Sequence, residues 1–167
     1  MPGSPLVDVL VVGGGHAGCE AAAAAARLGC SALLVTADID RIGLMSCNPA
    51  VGGIGKGQLV RELDALGGLM GRVTDRCGIH FRRLNTSKGR AVRATRVQVD
   101  RRRYRRELHR RLERLPGVTL CQAEVTGLHL RGRAAAGVRT TFGETLRSRT
   151  VILAPGTFLN GLIHVGL

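Results

Sequence analysis

The sequence LVVGGGHAG, residues 10–18, decides the fold of this chain. It closes the apolar run from Leu6 to Val12 and leads into an alanine-rich stretch, an order that predicts strand, glycine turn and helix. In such a turn Gly13 permits the tight bend, Gly15 lets the backbone approach a pyrophosphate, and Gly18 lets the helix pack against the strand. The free N–H groups at the start of the helix favour an anion. The pattern predicts a bound dinucleotide, against the alternative of an ordinary strand-to-helix turn.

The residues that follow supply the context that this motif needs. A helix is expected from Ala17 to Leu28 and a second apolar strand from Ala32 to Val35, which completes a βαβ unit. The identity of the dinucleotide is usually indicated by an acidic residue about 20 positions further on, which binds a ribose hydroxyl. Thr36 occupies that place and Asp38 lies beyond it, so this cue leaves the dinucleotide undecided.

The C-terminal half of the chain indicates which dinucleotide is bound. Short strands separated by turn signals are expected at Val118–Gln122, Val125–Leu130, Gly137–Phe142 and Leu146–Arg149, followed by a buried strand over 150–153 that runs towards Gly156. A βαβ unit, a small antiparallel meander and a strand ending at a glycine together resemble the FAD domain of glutathione-reductase-like flavoproteins. The predicted fold class is therefore α/β, a Rossmann-like FAD-binding domain of the glutathione-reductase type, and one domain is evident in residues 1–167.

The positive charge of the chain is concentrated in one segment. Of a net charge of +13, residues 76–114 carry +12, from fifteen Arg or Lys and three acidic residues. Such a cluster is typical of proteins that bind a polyanion, most often nucleic acid. The alternative is an ordinary charged surface, because Leu108 and Leu112 recur at helical spacing within an amphipathic helix expected from Val97 to Leu115. With three Phe, one Tyr and no Trp, phosphate contacts are expected rather than base stacking.

Cysteine and histidine usage argues against disulfides and metal sites. The five cysteines are odd in number and show neither CxxC pairs nor zinc-ligand spacing, which favours a reducing compartment. The histidines are not clustered, so no metal is predicted. No run approaches 18 apolar residues and nothing resembles a signal peptide, so we expect a cytoplasmic protein without membrane contact. Four cysteines are expected to be packing residues: Cys19, Cys30, Cys77 and Cys121.

A glycine-rich segment, Gly43 to Gly57, separates the second strand from the basic helix. Its Gly-Lys dipeptide fails the phosphate-loop pattern twice, because Ala50 stands where that motif needs Gly and Gly57 where it needs Ser or Thr. A loop of this length within a compact domain tends to be functional, and its glycines indicate close approach of backbone to a flat ligand or to another chain segment. We therefore expect this segment to face a ligand.

Five longer motifs, taken in order, carry a resemblance to a known family. They are DVLVVGGGHAG (8–18), MSCNPAVGGIGKG (45–57), ELDALGGLMG (62–71), LNTSKG (84–89) and AVRATR (91–96). From about residue 8 to residue 167 the chain is similar to the flavin-dependent subunit of the tRNA wobble-uridine 5-carboxymethylaminomethyl modification enzyme, the glucose-inhibited division protein A family. The order and length of the five motifs are far more specific to one family than the glycine turn alone.

The resemblance implies how FAD would be bound. The diphosphate would rest on the glycine turn, the adenine side would meet the main chain at Val125, and Gly156 would follow the last strand. The segment from Cys47 to Gly57 would line the isoalloxazine ring. The implied cofactor-binding residues are Gly13, Gly14, Gly15, His16, Ala17, Gly18, Val125 and Gly156.

The resemblance also implies an activity and partners. Family members use methylenetetrahydrofolate and glycine or ammonium to place a carboxymethylaminomethyl or aminomethyl group on C5 of the wobble uridine of certain tRNAs, and NADH recharges the flavin. They act with a GTPase partner subunit as a heterotetramer, and they are usually homodimers. On this interpretation the basic segment faces tRNA, with Lys88, Arg93 and Arg96 nearest the site.

Cys47 is the candidate for covalent catalysis. In several RNA enzymes a thiolate adds to C6 of uracil to activate C5, and a neighbouring cation such as Lys56 would lower the pKa of the thiol. The alternative is that Cys47 packs under the flavin. Asp64 and Asp75 are candidate acids or bases, against a helix-surface or capping role.

The family pattern extends further than this chain. Members continue through a nicotinamide-handling insertion, the segments that complete the FAD domain and a helical C-terminal region. We therefore expect an N-terminal fragment, incomplete at its C-terminus and inactive alone. Two other interpretations stay open, a basic RNA-binding piece without catalysis and the related folate- and FAD-dependent tRNA uracil methyltransferase.

Overall fold

The computed structural model describes residues 5–45, 48–157 and 159, which form two compact units. Residues up to 40 and from 116 onwards form the sheet unit, and residues 41–115 form the basic unit. In chain order the helices and strands are β1 Val7–Val12, α1 His16–Arg27, β2 Ala32–Thr36, β3 Ala50–Gly52, α2 Gly57–Ala65, α3 Leu69–Cys77, β4 Gly78–Leu84, β5 Ala94–Val99, α4 Arg101–Glu113, β6 Val118–Gln122, β7 Val125–Arg131, β8 Ala134–Thr140 and β9 Thr145–Leu153.

The sheet unit is built on six strands in the order β6-β2-β1-β9-β8-β7. The first four are parallel, and β8 and β7 continue the sheet antiparallel. Leu10 and Val11 point to opposite faces of β1 and are both fully buried, as expected for the central strand of a parallel sheet. The core gathers Leu10, Val35, Ala123 and Val138 from four segments. The predicted fold class, a Rossmann-like α/β fold, is confirmed.

Two predictions for the sheet unit were wrong in detail. The strand at Val118–Gln122 was expected in the antiparallel meander, but it pairs in parallel with β2 and extends the Rossmann sheet. The strands expected at Leu146–Arg149 and over 150–153 are one strand, β9, because its backbone stays paired with β1 from Ser148 to Leu153. The antiparallel part therefore consists of β7, β8 and the start of β9.

The basic unit combines a three-stranded antiparallel sheet, in the order β3-β5-β4, with helices α2, α3 and α4. Helix α4 buries Tyr104, Leu108 and Leu112 at the predicted helical spacing. Its predicted start at Val97 was wrong, because Val97 belongs to β5 and the helix begins at Arg101.

Asp100 explains where α4 begins. Its carboxylate accepts hydrogen bonds from the backbone N–H groups of Arg102 and Arg103, both at 2.9 Å, which satisfies two donors that have no partner within the helix. The Asp100 N–H in turn donates to the carbonyl oxygen of Cys77 at 2.9 Å. The end of α3 and the start of α4 are therefore fixed to each other.

The glycine-rich segment from Gly43 to Gly57 is more regular than the loop expected from its sequence. Ala50–Gly52 forms β3, whose buried Val51 pairs with Val97 of β5, and Gly57 begins α2. Gly52 has a φ of +83°, and a side chain there would meet the Thr95 carbonyl oxygen. Close approach to another chain segment therefore accounts for this glycine.

Candidate functional site

The glycine turn between β1 and α1 is fixed by two close backbone approaches. Gly13 has a φ of +109°, and its N–H donates to the Val35 carbonyl oxygen at 2.8 Å. A Cβ at Gly13 would collide with the carbonyl oxygen of Ala154, and one at Gly18 with the carbonyl oxygen of Gly13. These two glycines let the turn and the helix pack against the sheet, as the motif predicts.

Gly15 has a different environment. It is the N-cap of α1 with a φ of −73°, no side chain among the described residues caps the helix, and its first turn holds no acidic residue. Apart from Gly15 and its chain neighbours, no protein atom of the described structure lies within 4 Å of the place a Gly15 Cβ would occupy, and Gly15 and Ala17 are exposed. The start of α1 thus borders open space at Gly15, and the positive end of a helix attracts an anion.

The neighbours of this turn are held mainly by the backbone. The Cys19 thiol donates to the Gly14 carbonyl oxygen at 3.4 Å, and the Cys19 N–H donates to the Gly15 carbonyl oxygen at 2.9 Å. Gly14 is buried, and His16 is half-buried at the first position of the helix. The turn therefore presents its main chain to the open space.

The other two cofactor-binding candidates lie at the same edge of the sheet. Ala154 donates its N–H to the Val12 carbonyl oxygen at 2.8 Å, and Gly156, with a φ of +65°, follows two residues later. The Ala123 N–H donates to the Thr36 carbonyl oxygen at 2.9 Å, and Val125 begins β7 immediately afterwards. These segments meet beyond the carboxyl ends of the parallel strands, where α/β sheets bind their ligands. The binding role of each residue stays a prediction.

The end of β2 holds the residues considered for ribose binding. The Thr36 hydroxyl donates to the Asp38 carbonyl oxygen at 3.3 Å. The Asp38 carboxylate accepts the N–H of Asp40 at 2.9 Å. Both side chains are engaged in this local turn, so the structure adds no preference for one dinucleotide over another.

Cys47 lies outside the described residues, so its proposed roles stay untested. Lys56, its suggested activator, donates from Nζ to the carbonyl oxygen of Ala50 at 3.3 Å. Cys19 and Cys77 are buried, and Cys30 and Cys121 are half-buried. Burial raises the pKa of the Cys77 and Cys121 thiols, so these two are unsuited to thiolate chemistry at neutral pH.

The three RNA-binding candidates occupy different settings in the basic unit. Lys88 is exposed on a turn in which its N–H donates to the Asn85 carbonyl oxygen at 3.1 Å. Arg93 is exposed, and its Nη2 donates to the Thr86 carbonyl oxygen at 3.2 Å. Arg96 lies half-buried on β5, between Gly52 of β3 and Arg82 of β4.

Asp64 and Asp75 lie together on the wall of a pocket of about 210 Å³ within the basic unit. The wall also includes Arg61 and Thr95, and the Thr74 hydroxyl there donates to the Met70 carbonyl oxygen at 2.7 Å. A Cβ at Gly71 would meet the Asp64 carboxylate, so this glycine makes room for the acid. The two aspartates are thus brought near each other, while an acid or base role stays a prediction.

Across residues 5–45, 48–157 and 159, no three His, Cys, Asp or Glu side chains are arranged as a metal site. No helix in that part of the chain is long and apolar enough to cross a membrane.

A family profile described as "Glucose inhibited division protein A" matches residues 8–167. The chain belongs to this family. The family assignment made from the five motifs is confirmed.

Two curated family members show how closely this chain follows the family. The tRNA uridine 5-carboxymethylaminomethyl modification enzyme MnmG of Wolinella succinogenes is 55% identical over 95% of this chain and 25% of its own length. The protein of the same name from Syntrophotalea carbinolica is 56% identical over 96% of this chain and 26% of its own length. This chain therefore spans about a quarter of the length of the relatives it matches.

A solved structure of the family confirms the fold. The form I crystal structure of Aquifex aeolicus GidA matches with a TM-score of 0.93 and 47% identity, over 97% of this chain and 27% of that chain. The arrangement of β1, α1 and the neighbouring strands is thus a GidA-family fold.

Proposed function

We propose that this chain is the dinucleotide-binding part of an FAD-dependent enzyme that modifies the wobble uridine of tRNA. Its curated relatives are named as tRNA uridine modification enzymes, which supports an enzyme of this family. The proposed reaction places a carboxymethylaminomethyl or aminomethyl group on C5 of uridine, with methylenetetrahydrofolate as co-substrate and NADH as reductant.

The single observation that carries this proposal is the open N-terminus of α1. The residues fit a dinucleotide diphosphate, because Gly13 and Gly18 are required by packing whereas the space beside Gly15 holds no described protein atom within 4 Å. A ligand phosphate there would accept hydrogen bonds from the first-turn N–H groups and interact with the positive end of the helix. A bound FAD would supply two-electron redox chemistry at this site.

The chain's own residues would divide the remaining work. The backbone from Gly13 to Gly18 would hold the diphosphate, Val125 would meet the adenine side, and Gly156 would complete the edge of the site. Cys47 is retained as the proposed nucleophile towards uracil C6. A thiolate there would add to C6, C5 would then form a bond to the one-carbon unit supplied by the folate co-substrate, and the thiolate would leave as C5 gives its proton to a base.

The basic unit supports the tRNA half of the proposal. It carries nineteen basic and six acidic residues, whereas the sheet unit carries six of each. Lys88, Arg93 and Arg96 are the proposed phosphate contacts. The GTPase partner subunit, the heterotetramer, the homodimer and the cytoplasmic location are proposed from the family resemblance.

The decisive experiment replaces Gly15 with valine in the purified protein. The variant is expected to fold, because the backbone at Gly15 has an ordinary negative φ and the side chain meets no described protein atom. Flavin retained through purification, measured by visible absorbance per protein, is expected to fall by roughly tenfold or more, which requires a loss of only about 1.4 kcal/mol in binding.

Gly89→Val is the matched control. Gly89 also has a negative φ, of −57°, and open space beside it, but it lies in the basic unit. It is expected to retain flavin at the wild-type level. Full flavin content in the Gly15→Val protein would contradict the proposal.

A second candidate function rests on the charge distribution. A basic RNA-binding protein without catalysis would explain the basic unit equally well, but it predicts a colourless protein that still binds tRNA. The third candidate, a folate- and FAD-dependent uracil methyltransferase, predicts a methyl product. Mass analysis of nucleosides from tRNA treated with the enzyme, its partner and its co-substrates separates an aminomethyl-type product from a methylated one.

A further inference from the structure

A groove of about 470 Å³ lies within the basic unit, and its lining contains none of the residues proposed to hold the diphosphate and adenine of the cofactor. One wall is formed by the start of α2 and the turn before it, and the other by the chain over 90–94. The residues that matter to its chemistry are Ile54, Gln58, Arg61, Arg90, Val92 and Arg93.

Three arginines, Arg61, Arg90 and Arg93, line the groove, and no acidic residue is part of its lining. Arg61 and Arg90 are exposed, and the guanidinium group of neither makes a hydrogen bond or an ion pair with any residue that the structure describes. Arg93 donates one of its five N–H groups to the Thr86 carbonyl oxygen. Most of the donor capacity of these groups therefore faces the groove or solvent.

Arginine side chains without acidic neighbours favour a ligand with several oxyanion acceptors. Guanidinium groups present a planar fork that matches phosphate or carboxylate oxygens in pairs. Helix α2, of nine residues, begins at Gly57 on the same wall, and its positive end adds to the potential. The Gly57 N–H itself donates to the Gly53 carbonyl oxygen at 2.8 Å, so the arginines supply the principal donors.

Two aliphatic side chains border the charged surface. Ile54 is 65% exposed and Val92 is 49% exposed. They provide apolar contact for a ribose or a base beside the anion. The groove lies in the unit that holds the whole net charge of +13, which favours a polymeric anion over a single small one.

We infer that this groove binds the phosphodiester backbone of the substrate RNA through Arg61, Arg90 and Arg93. The inference rests on the proposed function for the identity of the RNA as tRNA, and it adds Arg61 and Arg90 to the residues that the family resemblance implied. No aromatic residue lines the groove, so these contacts position the strand without selecting bases.

The test compares two double variants of the purified protein. Arg61→Ala with Arg90→Ala removes two positive charges from the groove. Arg131→Ala with Arg133→Ala removes two from an exposed hairpin turn of the sheet unit and is the matched control. Dissociation constants for an unmodified tRNA transcript are measured by fluorescence anisotropy over a series of salt concentrations, and thermal melts verify folding.

The groove variant is expected to bind tRNA roughly tenfold more weakly at low salt, and the slope of log K against log salt is expected to become shallower by about 1 to 2. The control is expected to change the slope by less than about 0.5. The same loss is expected for a transcript of unrelated sequence, because the contacts are to the backbone.

Three outcomes overturn the inference. One is a groove variant that binds tRNA as wild type does, and another is a control that loses as much affinity as the groove variant. The third is a groove that binds inorganic phosphate, displaced by the double substitution, while tRNA binding is unchanged, because the ligand would then be a small anion.

Failure of the inference is distinguishable from failure of the proposed function. A colourless wild-type protein whose tRNA binding depends on Arg61 and Arg90 supports the groove and contradicts the flavoenzyme. A yellow protein that modifies uridine but is indifferent to the double substitution keeps the flavoenzyme and removes the groove. A colourless protein that binds no tRNA contradicts both.

Discussion

The anion sites proposed for the sheet unit and for the basic unit depend on different features of the chain. In the sheet unit basic and acidic residues balance, and the proposed anion site is the backbone at the N-terminus of α1, which no described side chain caps. In the basic unit arginine side chains supply the charge, and the N-terminus of α4 is closed by the Asp100 carboxylate. A backbone site is lost only when its geometry changes, whereas a side-chain site is lost when charge is removed or screened by salt.

The largest expected effect is on the geometry of the sheet unit. Gly18→Ala would place a Cβ against the carbonyl oxygen of Gly13, and neither backbone segment can move without disturbing the β1–α1 packing. We expect the free energy of unfolding to fall by about 1–3 kcal/mol, measured by urea denaturation with an unchanged m value.

Gly15→Ser provides the contrast within the same turn. Serine is a favoured N-cap and meets no described protein atom there, so stability is expected to stay within about 0.5 kcal/mol of wild type. Equal destabilisation by both substitutions would break the distinction between packing glycines and the ligand-facing glycine.

The next effect concerns the capped helix of the basic unit. Asp100→Ala removes the acceptor for the N–H groups of Arg102 and Arg103, and we expect a loss of about 1 kcal/mol in unfolding free energy. Asp100→Asn keeps an acceptor oxygen and is expected to recover most of that loss. Differential scanning calorimetry measures both, and an Asn variant as unstable as the Ala variant would show that negative charge, rather than capping, is what the helix needs.

The smallest effect is a pH dependence centred on Glu107. Its carboxylate contacts Arg111 at 2.9 Å and Arg76 at 3.4 Å, and it also pairs with Arg110. Burial alone would raise the pKa of Glu107, but the hydrogen bonds from Arg111 and Arg110 outweigh it, and the pKa lies below its ordinary value of 4.5. The stabilisation is therefore present above pH 4.5 and is lost as the pH falls through the lower folded-state pKa.

Urea unfolding at about pH 7 and about pH 3 measures this contribution. Wild type is expected to lose more stability on acidification than Glu107→Gln, by about 1 kcal/mol or less, because the arginines are partly exposed and solvent screens them. Glu113→Gln, whose carboxylate lies 3.7 Å from His109 and is more exposed, is the control and is expected to change this difference less. Identical pH profiles for wild type and Glu107→Gln would show that the ion pairs of Glu107 do not stabilise α4.

Local sequence patterns predicted most elements and little of their pairing. The apolar runs and the glycine turn placed β1, α1 and β2 within one or two residues of their observed bounds. The parallel pairing of β6 with β2 was not predictable from β6 alone, because a short alternating strand has the same pattern in either direction. The start of α4 was missed because Val97 continues the apolar spacing of the helix, although Asp100 is a capping residue that signals the boundary.

The sequence likewise predicted one part of the candidate functional site and missed another. The separate roles of Gly13, Gly15 and Gly18 follow from the motif, and the packing roles of Gly13 and Gly18 agree with the structure. The groove was missed because Arg61 and Arg90 are far apart in sequence and meet only through the packing of α2 beside the chain over 90–94. No periodicity links two such positions.

The position of β1 between β2 and β9 has a consequence for biosynthesis. β1 leaves the ribosome well before β9, because their pairing joins residues about 140 positions apart. Gly13 obtains its contact with Ala154 only when that late segment has emerged. Until then one edge of β1 stays unpaired, so the turn proposed to hold the diphosphate is complete only after β9 has been synthesised.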